Sequence, residues 1–302
     1  MPSSPLHRPL LRWYAAHARD LPWRAVGRDP WGVLVSEVML QQTPVDRVVP
    51  AWQAWLERWP APAALAADSP GEAVRMWGRL GYPRRALRLH AAAVACVADF
   101  DGRVPSTYAE LRTLPGVGDY TAAAVLAFAH GRRAVVLDTN VRRVLARVLD
   151  GQEYPRPSVT APERAAAEAV LPDDDAMAAA WSVAVMELGA LVCTAASPSC
   201  EACPVAPQCA WAAAGRPAYD GPARPVQRFA GTDRQVRGLL LSVLREAHDP
   251  VPKPELDAVW ADAAQRERAL DSLVADGLVD PLPDGLFSLP SGIPRAEVPD
   301  AG

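Results

Sequence analysis

The sequence has almost no lysine. Lys253 is the only lysine among 31 basic residues, and all the others are arginine. A lysine amine is the usual group that forms a Schiff base with a sugar or carbonyl substrate. Such an amine is therefore missing from every candidate catalytic or binding motif discussed below, because those motifs all lie before position 253.

Long apolar runs and strand-like alternation are missing as well. No run approaches the roughly 20 apolar residues that a membrane-spanning helix needs, and Met1 to Arg24 carries polar residues throughout, unlike a signal peptide. No stretch before Leu282 alternates as a strand does. We therefore expect a cytoplasmic chain whose first 215 residues are all-α, with 302 residues forming two or three domains.

Charge is distributed unevenly along the chain. The net charge is −4, yet Thr232 to Pro290 alone carries six basic and eleven acidic residues. Three helical patterns at about 233–247, 254–261 and 265–276, followed by a turn at Pro283-Asp284-Gly285, predict a winged-helix-like module there. Its acidity makes it a poor DNA binder and favours a packing or partner role. The Pro- and Gly-rich segment 216–231 reads as a linker.

Two clusters of arginine flank the motif stretches. Their members are Arg79, Arg84, Arg85 and Arg88 in the first cluster, and Arg132, Arg133, Arg142, Arg143 and Arg147 in the second. Such clusters are either solvated faces or phosphate contacts. Their position beside the motifs favours phosphate contacts.

Two glycines, Gly116 and Gly118, open an apolar helical run from Thr121 to Ala129. Glycines that lead into a helix N-terminus form an anion site, because amide N–H groups and the helix dipole both favour negative charge. We expect a phosphate there. Asp138 follows about 20 residues later, a spacing also seen in dinucleotide sites. That alternative is weak, because no strand-like run precedes Gly116 and the third glycine is missing.

Four of the five cysteines fall together as C-x6-C-x2-C-x5-C, at Cys193, Cys200, Cys203 and Cys209. Such a set in a cytosolic chain predicts a metal site rather than disulfides. Structural zinc usually takes two close ligand pairs, whereas this loop has one C-x2-C with an outlier on each side. The spacing favours a 4Fe-4S cluster over zinc. Cys96 lies in an apolar helical pattern, which predicts a core residue.

Two carboxylates have contrasting surroundings in the sequence. Glu37 has apolar neighbours on nearly every side, so desolvation should raise its pKa and keep it protonated as a general acid. Asp138 precedes a helix, whose N–H groups and dipole should favour its anionic form. Glu37 could instead be an ordinary surface residue of an amphipathic helix, and Asp138 could be an ordinary helix N-cap. Together they resemble the acid and anion that cleave glycosidic bonds.

Gln42 and Tyr82 lie at the ends of two predicted helices. Either residue fits ordinary turn chemistry. If such a residue lies beside the phosphate site expected at Gly116 and Gly118, its side chain could fill the gap that an extruded base leaves.

These motifs resemble a known family. Leu114-Pro115-Gly116-Val117-Gly118 resembles the hairpin of the helix-hairpin-helix DNA glycosylases, with Asp138 at the place of their invariant aspartate. The segments that resemble the MutY-type adenine DNA glycosylases specifically are Leu21–Arg24, Ser36–Thr43, Leu137–Val144 and Met186–Ala190 running into the four-cysteine loop. The resemblance covers about Leu10 to Ala214 and strengthens the 4Fe-4S assignment over zinc.

The resemblance implies an enzyme that removes adenine mispaired with 8-oxoguanine or guanine from double-stranded DNA in base excision repair. Glu37 would protonate the adenine ring at N7, and Asp138 would stabilise the cationic sugar before water attacks. Tyr120 and Asn140 would orient this pair. The residues expected to contact substrate are Trp23, Arg24 and Glu187 around the adenine, Gln42 and Tyr82 at the opposite purine, and the hairpin amides at Gly116 and Gly118 on a phosphate.

The implied architecture is an all-α helix-hairpin-helix glycosylase fold, with two helical domains flanking a cleft and a small C-terminal module. The predicted segments are 1–29 with 137–215 (iron–sulfur helical domain), 30–136 (six-helix barrel with the hairpin), 216–231 (linker), 232–290 (winged-helix-like module) and 291–302 (tail). Related endonuclease III-type enzymes carry a lysine at the position of Tyr120, so this chain should be a monofunctional glycosylase. We also expect a monomer that acts at the bacterial nucleoid.

The C-terminal module is too short to be the Nudix-like domain with which many family members read 8-oxoguanine. Discrimination of 8-oxoguanine from guanine should therefore be weaker, or rest on Gln42 and Tyr82. Two other functions fit part of the sequence. One is a thymine or uracil mismatch glycosylase of the same superfamily, against which Glu37 in its MLQQT context argues. The other is a non-catalytic iron–sulfur DNA-binding protein, which gives no reason for Glu37 and Asp138 together.

Overall fold

The computed structural model describes residues 4–25, 27, 29–221 and 229–292. This part of the chain is mostly helical, as the sequence predicts. Its α-helices are α1 His7–His17, α2 Pro30–Met39, α3 Val45–Arg58, α4 Pro62–Ala66, α5 Pro70–Trp77, α6 Arg84–Asp99, α7 Tyr108–Leu111, α8 Asp119–Phe128, α9 Thr139–Asp150, α10 Ala161–Ala169, α11 Asp175–Leu191, α12 Ala210–Ala213, α13 Asp233–Glu246, α14 Lys253–Asp257 and α15 Ala263–Ala275. None of the described helices is both long and apolar enough to cross a bilayer.

Within the described residues three short strands occur, all of them after position 250. They are β1 Val251–Pro252, β2 Asp280–Leu282 and β3 Leu286–Ser288, in one antiparallel sheet of order β1-β3-β2. With α13, α14 and α15 they form the winged-helix-like module that the sequence predicts. The sequence pattern missed β1, because two residues are too few to show an alternation.

The chain divides into two compact units. The first unit contains the described residues of Met1–Glu37, Ser106–Thr113 and Val117–Ala223, and the second those of Val38–Pro105, Leu114–Gly116 and Arg224–Gly302. Residues 222–228 of the predicted linker and 293–302 of the predicted tail lie outside the described residues. The domain boundaries inferred from the sequence stay a prediction.

The core of the first unit is formed by α1, α9 and α11. Helix α9 buries Val141, Val144, Leu145 and Val148, the i, i+3, i+4, i+7 spacing of one helix face, against Trp181 and its neighbours. The helix ends at Gly151, whose φ of 66° is the left-handed conformation that terminates helices. A second cluster packs Val33 of α2 against α8. These two clusters fix the positions of α8 and α9, whose first turns carry candidate site residues.

The core of the second unit contains three buried tryptophans. Trp55 makes edge-to-face contacts with Trp59, at 4.6 Å between ring centroids, and with Trp77, at 5.7 Å. Helices α4 and α5 pack against α6, and α13 packs against α5 and α15. Cys96 on α6 is fully buried, which confirms it as a core residue. Burial raises the pKa of its thiol to about 11.

Candidate active site

Glu37 is a buried carboxyl group in the last turns of α2. Only 4% of its surface is exposed, so it is not the surface residue of an amphipathic helix. The hydroxyl of Tyr120 donates a 2.6 Å hydrogen bond to its Oε2 atom. Burial is the main cause that raises the pKa of Glu37 to about 7, the Tyr120 bond and Arg24 oppose it, and the charge of Asp138 adds to it. The raised pKa expected from the sequence is confirmed.

Tyr120 is placed by the glycine turn that begins α8. Gly116 has a φ of 80°, which favours glycine, and a Cβ atom there would lie 2.7 Å from Cβ of Arg88. Gly118 is the N-cap of α8 and offers no side chain to its first turn. The helix start is exposed, and the phosphate site expected there stays a prediction.

Asp138 is the N-cap of α9. Its Oδ1 accepts a 2.6 Å bond from the amide of Val141, and its Oδ2 accepts a 3.0 Å bond from the Asn140 side-chain amide. The pKa of Asp138 is nevertheless raised, because burial outweighs these bonds and the nearby Arg143 cation. The expectation of a lowered pKa is therefore wrong. The charge of Asp138 is in turn one of the causes that raise the pKa of Glu37.

Glu187 is the most strongly held carboxylate of the site. It is fully buried in α11 and accepts bonds from the backbone N, Nε and Nη2 of Arg19 and from Nη2 of Arg24, at 2.7–2.9 Å. Burial opposes its ionisation, but the bonds from Arg19 and Arg24 prevail and lower its pKa to about 2. Its charge anchors Arg24, which in turn lowers the pKa of Glu37. Trp23 is buried beside Arg24 in the chain.

Two residues that position these groups are not predictable from the motifs. Arg19 makes the bidentate contact with Glu187, and nothing in its sequence context distinguishes it from other surface arginines. Gly189 lies where a Cβ atom would be 2.7 Å from Cβ of Asn140. A glycine within the long helix α11 was the available signal, because such a glycine often marks a close approach.

Gln42 and Tyr82 both belong to the second unit and are exposed. Both adopt left-handed backbone conformations, with φ of 57° and 47°. The buried Arg85 holds the backbone that precedes each of them. Its guanidinium donates to the carbonyl oxygens of Val38 (2.9 Å), Met39 (3.0 Å), Gln41 (2.6 Å), Leu80 (3.3 Å) and Gly81 (2.9 Å) and to Oγ1 of Thr43 (3.1 Å). The two predicted probes are therefore fixed to one buried cation.

The arginine clusters contain more buried residues than the sequence suggested. Arg85, Arg142, Arg143 and Arg147 are all buried, so these four are structural cations rather than phosphate contacts. Arg142 pairs with Glu163 at 2.5 Å. Arg79, Arg84, Arg88 and Arg132 are exposed. Among the arginines predicted to contact phosphate, these exposed ones remain candidates.

The four cysteines of the predicted metal site line one cavity in the first unit, together with Arg147 and mainly apolar residues. Nη1 of Arg147 donates to Sγ of Cys193 at 3.3 Å, and Nε of Arg143 donates to the Cys193 carbonyl at 2.8 Å. Within the described residues, no three His, Cys, Asp or Glu side chains are grouped to hold a single metal ion. The four cysteines thus line one cavity beside a buried cation.

The structure brings most of the predicted site together in the first unit. Glu37, Tyr120, Asp138 and Asn140 are linked by the contacts above, and Arg24 with Glu187 adjoins them. Gln42, Tyr82 and Gly116 belong to the second unit.

Residues 35–166 match the family model described as HhH-GPD superfamily base excision DNA repair protein. The chain is 54% identical over 281 residues to an adenine DNA glycosylase of Mycolicibacterium smegmatis, covering 93% of this chain and 94% of that protein. It is 53% identical to an adenine DNA glycosylase of Mycobacterium tuberculosis, covering 93% and 92%.

A solved structure shows the same fold. The structure of a thermostable thymine-DNA glycosylase matches with a TM-score of 0.61 at 27% identity, covering 68% of this chain and 93% of that one. The all-α glycosylase fold expected from the motifs is thereby confirmed. The chain belongs to the HhH-GPD superfamily of base excision DNA repair proteins and, within it, to the MutY-type adenine DNA glycosylases.

Proposed function

We propose that this chain is a monofunctional glycosylase that hydrolyses the N-glycosidic bond of adenine mispaired with 8-oxoguanine or guanine in double-stranded DNA. The observation that carries the proposal is the pairing of Glu37 and Asp138. Glu37 is buried with a pKa of about 7, and Asp138 lies near enough for its charge to raise that pKa. An acid that keeps its proton beside a carboxylate that has lost its own suits glycosidic cleavage.

The reaction follows from these two protonation states. Glu37 delivers its proton to N7 of the extruded adenine, which lets the bond between C1′ and N9 break with its electron pair leaving on the base. The carboxylate of Asp138 stabilises the positive charge that develops on the sugar. Water then attacks C1′ and releases a proton to solvent, which leaves an abasic site.

Neighbouring residues orient the two carboxyl groups. The Tyr120 hydroxyl fixes the Glu37 side chain, and the Asn140 amide fixes Oδ2 of Asp138. Glu187 holds Arg24 at the adenine pocket, which Trp23 also lines. Because Glu187 is fully buried, it acts on substrate through Arg24 rather than by direct contact.

Residues in turns make the contacts with DNA outside the reacting nucleotide. The amides at Gly116 and Gly118 hold a phosphate, because the free N–H groups and the dipole of a helix start both favour an anion. Gln42 and Tyr82 contact the opposite purine and the stack around it. A substrate in chromosomal DNA places the enzyme at the nucleoid, where we expect it to act as a monomer.

A 4Fe-4S cluster fits the cysteine loop. Cys193, Cys200, Cys203 and Cys209 would be its ligands, since all four line one cavity. Arg147 is almost fully buried, and its acceptors are the carbonyl oxygens of Glu153, Thr194 and Ala195 and the sulfur of Cys193. No described carboxylate forms an ion pair with it. Anionic thiolates would balance this charge, and a bound cluster would supply a rigid, redox-capable cross-link for the loop.

The test is single-turnover base release from duplexes containing A:8-oxoG, A:G, T:G or U:G. Wild type should release adenine from the first two only, without nicking the strand until alkali is added, because the proposed site contains no lysine that could open the sugar. Glu37→Gln should abolish release and spare duplex binding, whereas Glu57→Gln, an exposed glutamate on α3, should change neither. Release of thymine or uracil, or binding without any release, would instead support the two other functions.

A further inference from the structure

The C-terminal module contacts Tyr82. Arg234, in the first turn of α13, donates a hydrogen bond from Nη2 to the Tyr82 hydroxyl. Its guanidinium carbon also lies 4.8 Å from the centroid of the Tyr82 ring. A cation over an aromatic face at this distance is attractive, and more so where water is excluded. Tyr82 is therefore held at its hydroxyl and its ring by one residue of the module.

Tyr82 needs such support. Its φ of 47° is a left-handed conformation in a residue other than glycine, and 43% of its surface is exposed. Residues in sparsely populated conformations persist only where their surroundings hold them. Arg85 fixes the backbone of the preceding turn, with its guanidinium carbon 5.6 Å from the Tyr82 centroid. Arg234 is the residue that reaches the exposed end of the side chain.

The module is fixed to the helix that leads to Tyr82. Nη1 of Arg75, on α5, donates to the backbone carbonyls of Arg245 and Ala247, the latter at 2.8 Å, at the end of α13. In return, Nε of Arg245 donates to the Val74 carbonyl at 3.0 Å. These bonds join the backbones of α5 and α13, so the position of Arg234 relative to Tyr82 is set by the fold.

A second contact ties the end of the module to the start of the same helix. The Gly71 amide donates a 2.7 Å bond to the Pro290 carbonyl. A Cβ atom at Gly71 would lie 2.6 Å from that oxygen, so glycine permits the approach. Asp276 of the module also pairs with Arg84, at 3.1 Å. The module thus contacts both ends of the segment 71–84. Tyr82 lies close to the C-terminal end of that segment.

We infer that Arg234 is a positioning residue for Tyr82 and that the C-terminal module thereby takes part in recognising the mismatch. The inference rests on the proposed function for the role of Tyr82 at the opposite purine. The module has a net charge of −5 between Thr232 and Pro290, so a general DNA-binding face is disfavoured. It acts instead through the side chain that it holds.

A direct contact between Arg234 and a DNA phosphate is the rival role, and the two give different signatures. Loss of a phosphate contact weakens binding to every duplex about equally and lowers the salt slope by about one. Loss of a positioning contact lowers the preference for mismatched over matched duplex and leaves the salt slope unchanged. The ratio of the two dissociation constants, measured at several salt concentrations, therefore separates them.

The experiment uses the full chain carrying Glu37→Gln, which keeps the duplex intact. Binding to an A:8-oxoG duplex and to the same duplex with A:T is measured by fluorescence anisotropy. Arg234→Ala should lower the mismatch preference by about three- to tenfold, the range expected for losing a cation–π contact with its hydrogen bond. Arg268→Ala removes the same charge from an exposed arginine of the module that pairs with Asp233, and should leave the preference unchanged.

Two further variants keep the result decisive. In a Tyr82→Ala background, Arg234→Ala should have no additional effect, because the side chain that it positions is gone. Should Arg234→Ala fail to fold, Tyr82→Phe removes the same hydrogen bond from the other partner and should lower the preference in part. An unchanged preference, equal weakening of both duplexes, or an Arg234 effect that persists without Tyr82 would overturn the inference.

Base release by wild type separates this inference from the proposed function. Adenine release with an unchanged preference in Arg234→Ala would refute the positioning role alone. A preference that depends on Arg234, in a chain that releases no adenine, would refute the catalytic proposal alone.

Discussion

The hydroxyl of Tyr120 donates a 2.6 Å hydrogen bond to Oε2 of Glu37 and so joins the start of α8 to the end part of α2. Two opposing effects act on the Glu37 proton. Burial and the charge of Asp138 raise the pKa of Glu37, while the Tyr120 bond and Arg24 lower it, and the balance is a pKa of about 7. A general acid is most effective when its pKa lies near the working pH.

The pH dependence of base release should report this balance. Glu37 must carry its proton and Asp138 must be ionised for the reaction, so the single-turnover rate should fall about tenfold per unit above about pH 7 and should also fall at acid pH, where Asp138 becomes protonated. The measurement is the rate on an A:8-oxoG duplex at saturating enzyme from pH 5 to 9. A rate that rises above pH 7 would assign Glu37 a basic role and contradict the mechanism.

Replacing Tyr120 by phenylalanine should move that alkaline limb. The hydroxyl stabilises the ionised form of Glu37, so its loss raises the pKa further and shifts the limb to higher pH by on the order of one unit. The same pH profile, measured on Tyr120→Phe, tests this. Tyr14→Phe removes a hydroxyl elsewhere in the first unit and serves as the control. An unshifted limb would mean that Tyr120 does not act on the Glu37 proton.

Gly189→Ala should slow base release although the side chain at position 189 does not contact the substrate. The new Cβ atom would lie 2.7 Å from Cβ and 3.0 Å from the carbonyl oxygen of Asn140, so Asn140 must move, and Oδ2 of Asp138 loses its alignment. Small displacements in an active site cost up to about a hundredfold in rate, and we expect about tenfold. Gly238→Ala, in a helix with open space at that position, is the matched control. Equal rates for the two variants would refute the argument.

The sequence predicted what depends on local pattern and missed what depends on packing. Glu37 could be predicted as a buried acid because its neighbours in the helix are apolar, and the helix starts at Asp138 and Gly118 could be predicted from capping residues. The direction of the Asp138 pKa could not, because its burial comes from distant segments. Arg85 looked like its exposed neighbour Arg84, and only the fold shows that it is buried.

Arg85 should be more important for stability than any other arginine of its cluster. Arg85→Met removes the donor to five carbonyl oxygens and the Thr43 hydroxyl, several of them buried. Unsatisfied buried acceptors are costly, so we expect a loss of about 3 kcal/mol in the free energy of unfolding. Arg84→Met removes only an exposed ion pair with Asp276 and should cost less than about 1 kcal/mol. Urea unfolding of both variants distinguishes them, and similar midpoints would contradict the burial argument.

Arg147 should be needed for retention of the proposed iron–sulfur cluster. It donates to Sγ of Cys193 and to the carbonyls of Thr194 and Ala195, so it fixes the loop and supplies a positive charge beside the thiolates. Groups that orient metal ligands typically contribute about 10- to 100-fold in metal affinity. Arg147→Met should therefore retain less iron and sulfide per chain during dialysis against a chelator, as measured by iron analysis and visible absorbance. Arg132→Met, at an exposed arginine whose nearest partner is Asp175 at 3.7 Å, should retain as much as wild type. Equal retention in both variants would show that the buried cation does not balance the charge of a cluster.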